Sequence, residues 1–192
     1  ANDFFETQAA GRAIQPSTID HQLMAAALFH ETNRRRRSEN KTSLKYDPRL
    51  DEAARMHAGS MAENSYLSHV NPYRSERRTP QDRARLSGFI FRYLSENVAS
   101  HFAIRYEAGT TVYKVQTREG TGFSYQPDGP PIRPHTYESF VASLLDQWMN
   151  SPDHRRNILA AEPVYFGSGC AAGQSRNEMV KLYCVQLFGT PQ

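Results

Sequence analysis

Three side chains have the widest chemical reach in this sequence: His69, Glu96 and His154. His69 ends the run Tyr66-Leu67-Ser68-His69, and Glu96 lies in Ser95-Glu96-Asn97-Val98-Ala99. His154 lies in Ser151-Pro152-Asp153-His154-Arg155-Arg156-Asn157-Ile158-Leu159. Two imidazoles and a carboxylate can hold a divalent ion, or act as a base with its orienter. The three are far apart in sequence and match no local metal motif such as H-E-x-x-H, so only the fold can bring them together.

Other residues have narrower uses. Arg74, Arg77, Arg78, Arg83 and Arg85, set against Glu76 and Asp82, make the stretch after His69 basic. If it borders the site, Arg74, Arg77 and Arg78 form a rim suited to anionic ligands or an anionic surface. Arg34 to Arg37 are consecutive on a helix and so share no face, which argues against a nucleic-acid patch. Cys170 and Cys184 are 14 positions apart, placed nearly symmetrically about Gln174 to Asn177. They read as a cross-strand disulfide in an oxidising compartment, or as two buried thiols. His57 reads as a core histidine, and Asn33 and Arg36 as ties between the first helix and its neighbouring loops.

The elements that must position these groups follow from periodicity and caps. A helix is expected over Ile19 to Glu39, capped by Ser17 or Thr18. Asp47-Pro48 opens a second helix that runs to about Asn64 with His57 on its apolar face. Thr79-Pro80-Gln81-Asp82 carries a capping box for a third, which stops by Gly88. Phe89 to Leu94 is short and apolar, and the stretch around Glu96 has no clear type. Residues 100–136 read as an inserted β-hairpin with Glu119 to Gly122 as its turn. Helices follow at Tyr137 to Asn150, with Trp148 on the apolar stripe, and at Pro152 to Leu159. Strands close the chain at Val164 to Ala171 and Val180 to Phe188. Helices first and strands late give an α+β domain over 19–192, preceded by an arm over 1–18.

The chain has 192 residues, 39% of them apolar and 11% aromatic, with a formal charge of +3. That suits one folded domain and excludes wholly disordered and collagen-like classes. No apolar run approaches the roughly 18 residues that span a bilayer, so no transmembrane segment is expected. No leader-like segment opens the sequence, which reads as a mature or trimmed product.

The order of the phrases adds more. Asn33-x-x-Arg36 is followed by Leu44-x-Tyr46-Asp47-x-x-Leu50, then Ser68-His69, Thr79-Pro80-x-x-Arg83, Gly88-Phe89 and Glu96-Asn97-Val98-Ala99. Trp148-Met149-Asn150-Ser151-Pro152-x-His154-Arg155-x-Asn157, Phe166-Gly167-x-Gly169 and Val185-Gln186-x-Phe188-Gly189 complete the series. As an ordered set over about 22–189 this resembles the CAP superfamily (cysteine-rich secretory proteins, antigen five and class-one pathogenesis-related proteins), in its bacterial SCP-like extracellular branch. The resemblance implies an α-β-α sandwich around a central antiparallel sheet. It also implies a cleft of two His and two Glu that in some members holds a metal such as zinc. The first His matches His69, the first Glu matches Glu96 and the second His matches His154. The second Glu should lie three residues after the helix Trp, where this chain has Ser151.

The resulting expectation is a secreted binding or interaction module, with a His/Glu cleft that binds zinc weakly. Its partner would be an extracellular lipid, cell-wall component or protein, and not nucleic acid. The alternatives are a metal-dependent hydrolase with Glu96 as general base, or a structural scaffold.

Overall fold

A computed structural model describes residues 4–118, 120–174 and 178–192. Four strands form the main sheet in the order β1 (Lys45–Tyr46), β5 (Tyr165–Gln174), β6 (Val180–Pro191) and β2 (Phe91–Phe102). The two long pairings, β5–β6 and β6–β2, are antiparallel. The two-residue β1 joins β5 in parallel at the edge of this central antiparallel sheet. The pair of strands β3 (Tyr113–Thr117) and β4 (Gly120–Ser124) forms a separate antiparallel hairpin. Part of the hairpin's expected turn, Glu119, lies outside the described residues, as does most of the expected turn at Gln174 to Asn177.

Helices cover both faces of the sheet. α1 (His21–Ser38), α4 (Tyr137–Met149) and α5 (Pro152–Leu159) share one core with Phe166, Cys170, Leu182, Cys184 and Phe188. α2 (Pro48–Asn64) and α3 (Pro80–Leu86) share the other with Val98, Tyr183, Val185 and Leu187. Successive residues of β6 thus feed opposite cores, as the two-residue period of a strand requires.

Local chemistry explains most boundaries. Asp47 caps α2 through Arg49 N, with Pro48 in the first turn, where no backbone donor is needed. Thr79 and Asp82 close a reciprocal capping box on α3. α1 starts later than the sequence suggests because Pro16–Thr18 forms a 3₁₀ turn and Asp20 takes the cap, accepting from Leu23 N at 3.0 Å. β2 is the larger surprise. It runs unbroken from the apolar stretch through Glu96 and on to Phe102, which pairs with Lys181. Ala103 is buried beyond it, so 100–103 belong to the body of the domain and the hairpin begins later. Within the segment read as an arm, Ala10 and Ile14 are fully buried against the domain.

Two contacts fix how closely the layers approach. Gly167 and Gly169 let α2 settle directly on β5, since a Cβ at Gly167 would stand 2.2 Å from Asp51 N and one at Gly169 2.6 Å from Arg55 Cγ. Buried Arg36 ties α1 to the rest by donating to the carbonyls of Thr42, Ile158 and Ala160. Asn33 adds a two-way bond to the backbone of Leu44. Cys170 and Cys184 are directly opposed on β5 and β6 and form a disulfide. It closes a loop of about 15 residues, so Cys170→Ala/Cys184→Ala should lower stability by up to about 3 kcal/mol. Urea unfolding of the variant against the parent measures this, with Cys170 and Cys184 giving no free thiol in denatured, unreduced parent.

Candidate functional site

The site is built on β2, at one edge of the sheet. Glu96 and Asn97 are neighbours on this strand, so their side chains leave opposite faces. Glu96 turns toward α3 and the loop that carries His69. Its Oε2 accepts from Arg83 Nη2 at 2.6 Å, and its Oε1 faces His69 Nδ1 at 2.9 Å. Both carboxylate oxygens are engaged, and the residue is only 6% exposed. Since the ion-paired carboxylate can only accept, His69 Nδ1 is the donor, which leaves Nε2 without a proton in the neutral ring.

Arg83 is fully buried and does more than pair with Glu96. Its guanidinium also donates to the backbone carbonyls of His69, Arg77 and Arg78. One cation therefore fixes the carboxylate and both ends of the loop that presents His69. Asn71 tightens the same loop by donating from Nδ2 to Ser60 Oγ and from its backbone N to Arg78 O. His57 supports it from below, with Nε2 2.6 Å from Ser68 O. Burial, then the charge of Arg83, lowers the His57 pKa, which suits a neutral core histidine.

Asn97 works on the other face. Its Nδ2 donates to His154 O at 3.1 Å and to Gln186 Oε1 at 3.1 Å, while its Oδ1 accepts from Asn157 Nδ2 at 2.8 Å. Gln186 passes the chain on to Thr32 on α1. This buried ladder holds the α5 backbone at His154. Burial first, and then the nearby His69 imidazole, lower the His154 pKa, with Asp153 opposing. The two imidazoles are thus close enough to sense each other's charge, although they come from opposite layers.

Ser151, at the position of the missing carboxylate, is the N-cap residue of α5, and its side chain makes no capping bond. Among the described residues, no group of three or more His, Cys, Asp and Glu side chains is arranged to hold a metal ion. In the basic rim, Arg74 and Arg78 are exposed and Arg77 stands 3.9 Å from Glu76.

The family model of the cysteine-rich secretory protein family, CAP, matches residues 29–188. The chain belongs to the CAP family. It is similar to an extracellular protein containing an SCP domain from Bacillus anthracis, with a TM-score of 0.56 at 21% identity. That match covers 92% of this chain and 44% of the Bacillus one, so the chain spans less than half of that protein. An outer surface protein from Borrelia burgdorferi gives a TM-score of 0.55 at 18% identity, covering 87% of this chain and 92% of that one. A cysteine-rich secretory protein from Staphylococcus aureus gives 0.50 at 15%, covering 89% and 40%. At these identities the three carry the fold alone. None of the curated proteins matches the sequence.

Sequence reasoning missed three members of this CAP site. Arg83 read as one cation of the basic stretch after His69, Asn97 as part of a stretch of no clear type, and Gln186 as part of the last strand. The signal available for Arg83 was its place three residues after a Pro-initiated helix start, on the inner face of a short helix otherwise rich in exposed charge. His101 lies off the site, five residues along β2 from Glu96, or roughly 17 Å away. It packs on His135, with ring centroids 5.5 Å apart, and both rings meet Phe140 edge-on.

Two outcomes are expected. Arg83→Met should destabilise the fold by about 3–5 kcal/mol, because it leaves the Glu96 charge buried without its partner. Arg83→Met/Glu96→Gln should recover part of that loss, and a double-mutant cycle by urea unfolding measures the coupling. The second concerns pH. Burial, then the charges of His101 and Arg105, push the His135 pKa down to about 4. The unfolded chain then binds a proton near pH 6.5 that the native chain refuses, so this contribution is full above about pH 6.5 and lost as the pH falls toward 4. The parent's urea midpoint should fall over that window, and His135→Gln should flatten the fall.

Proposed function

We propose that this CAP domain is an extracellular binding module whose cleft presents two imidazole nitrogens, one from His69 and one from His154, to a ligand or a divalent metal. The observation that carries this reading is the chain Arg83–Glu96–His69. A carboxylate that accepts from one ring nitrogen fixes the tautomer and aims the other nitrogen outward as a lone-pair donor, the arrangement that supports metal-ligating histidines. The depressed His154 pKa supports a second neutral imidazole beside it. An extracellular setting is supported by the Cys170–Cys184 disulfide and by the Bacillus and Borrelia relatives, which are extracellular and outer-surface proteins. Among the described residues no helix is long and apolar enough to cross a membrane. The partner is a lipid, cell-wall component or protein, and the Arg74, Arg77 and Arg78 rim favours an anionic one over nucleic acid-scale electrostatics.

Two imidazoles are the principal donors in this reading. Glu96 is held by Arg83 and orients His69, and Ser151 offers no carboxylate. His69 and His154 would hold zinc, which would supply Lewis-acid character at the cleft, with open positions left to water. Such a site is weak and reversible. A hydrolytic role for Glu96 as general base loses support for the same reason, since both its oxygens already accept from buried or fixed donors.

Calorimetry of metal-free protein tests the reading. Zinc should bind at about pH 7.5 and be lost on acidification, because protonated imidazole cannot coordinate. His69→Ala and His154→Ala should each abolish binding, and Ser151→Glu should tighten it. Zinc affinity in His154→Ala equal to that of the parent would remove the cleft as the site.

A further inference from the structure

A cleft lies at the other edge of the sheet, beside β1, far from the β2 edge that carries Glu96. Its volume is about 340 Å³, near the lower end for small-molecule sites. Three elements line it. His21, Ala25 and Phe29 recur every four residues on α1 and so share one face. Tyr46 projects from β1, and Asp51 and Arg55 stand one turn apart on α2.

The Asp51 and Arg55 pair is unusual. Opposite charges at this spacing on a helix ordinarily close on each other. Here they sense each other electrostatically, yet no ion pair joins them among the described residues. The backbone explains why. Asp51 Oδ1 is drawn to the sheet by Ser168 N–H at 3.2 Å, and the Arg55 stem is laid over Gly169. The Arg55 guanidinium has no hydrogen-bond or ion-pair partner among the described residues, and neither has the Tyr46 hydroxyl. Beside this divided pair, the rings of Phe29 and Tyr46 meet edge-on with centroids 6.3 Å apart, and Ala25 leaves the floor open.

The charges select the ligand. A simple anion would meet Asp51, a simple cation would meet Arg55, and a neutral apolar molecule would desolvate both without compensation. A molecule that carries both charges on groups attached to one carbon satisfies both side chains at once. We propose that this cleft binds a small zwitterion of the amino-acid class, with its carboxylate on Arg55, its ammonium on Asp51 and an apolar side chain against Ala25, Phe29 and Tyr46. The proposal is independent of the imidazole cleft, which it does not share a residue with.

Three probes of one skeleton decide it, with binding followed by protein NMR: L-phenylalanine, 3-phenylpropionate, which lacks the ammonium, and phenylalaninamide, which lacks the carboxylate. L-phenylalanine should shift the resonances of Ala25, Phe29, Tyr46 and Arg55 with a millimolar dissociation constant, as so open a cleft allows. Each truncated analogue should bind about fivefold or more weakly, since each gives up one charged hydrogen bond. Arg55→Met, at an exposed side chain, should erase the preference over the amide. Asp51→Asn, which keeps an acceptor for Ser168 N–H, should erase the preference over 3-phenylpropionate. The proposal fails if nothing shifts up to about 20 mM, if the three probes bind equally, if the shifts fall at His69 and His154 instead, or if Arg55→Met keeps the parent's selectivity. The ligand series and Arg55→Met decide the matter even if Asp51→Asn does not fold.

Discussion

A single buried guanidinium organises the candidate site. Arg83 has no exposed surface, and its charge must be compensated inside the protein. Glu96 Oε2 supplies the counter-charge at 2.6 Å, and the carbonyls of His69, Arg77 and Arg78 accept from Nη1 and Nη2. Everything else on that face follows. The carboxylate is fixed, so the imidazole that meets its other oxygen is fixed, and the loop between α2 and α3 is closed by the same cation. The exposed His69 ring thus rests on an anchor that solvent does not reach.

The second imidazole depends on a different kind of constraint. Asn97, on the same strand but the opposite face, spends its side chain on His154 O, Gln186 and Asn157. These are neutral hydrogen bonds, individually modest, but a buried network with each member satisfied is costly to break. Two adjacent residues of an edge strand therefore hold the two histidines from opposite layers. The role of the strand is to present Glu96 and Asn97 back to back, and the β2–β6 register, with Glu96 opposite Leu187 and Asn97 opposite Gln186, sets that presentation.

Much of the fold was legible in the sequence where local chemistry decides. Asp47-Pro48 and the Thr79/Asp82 box marked helix starts because caps act within four residues. The ordered phrases pointed to His69, Glu96 and His154, and the cysteines to their pairing. What stayed hidden depends on distant partners. The polar run Ser95-Glu96-Asn97 does not look like a strand, because Glu96 and Asn97 are satisfied by Arg83, Gln186 and Asn157, none of which is near them in sequence. The Glu96 ion pair with Arg83 was hidden for the same reason, since its partner is 13 residues away. The parallel β1–β5 pair escaped notice because two residues carry no period.

The protonation state of His69 tests the account most directly. Long-range proton–nitrogen NMR at neutral pH reports which ring nitrogen carries the proton. The Arg83–Glu96–His69 chain predicts a proton on Nδ1 and a bare Nε2 in the neutral ring, with the preference weakened in Glu96→Gln. A proton on Nε2 in the parent, or a spectrum that Glu96→Gln leaves unchanged, would contradict the claim that Glu96 sets the imidazole for binding.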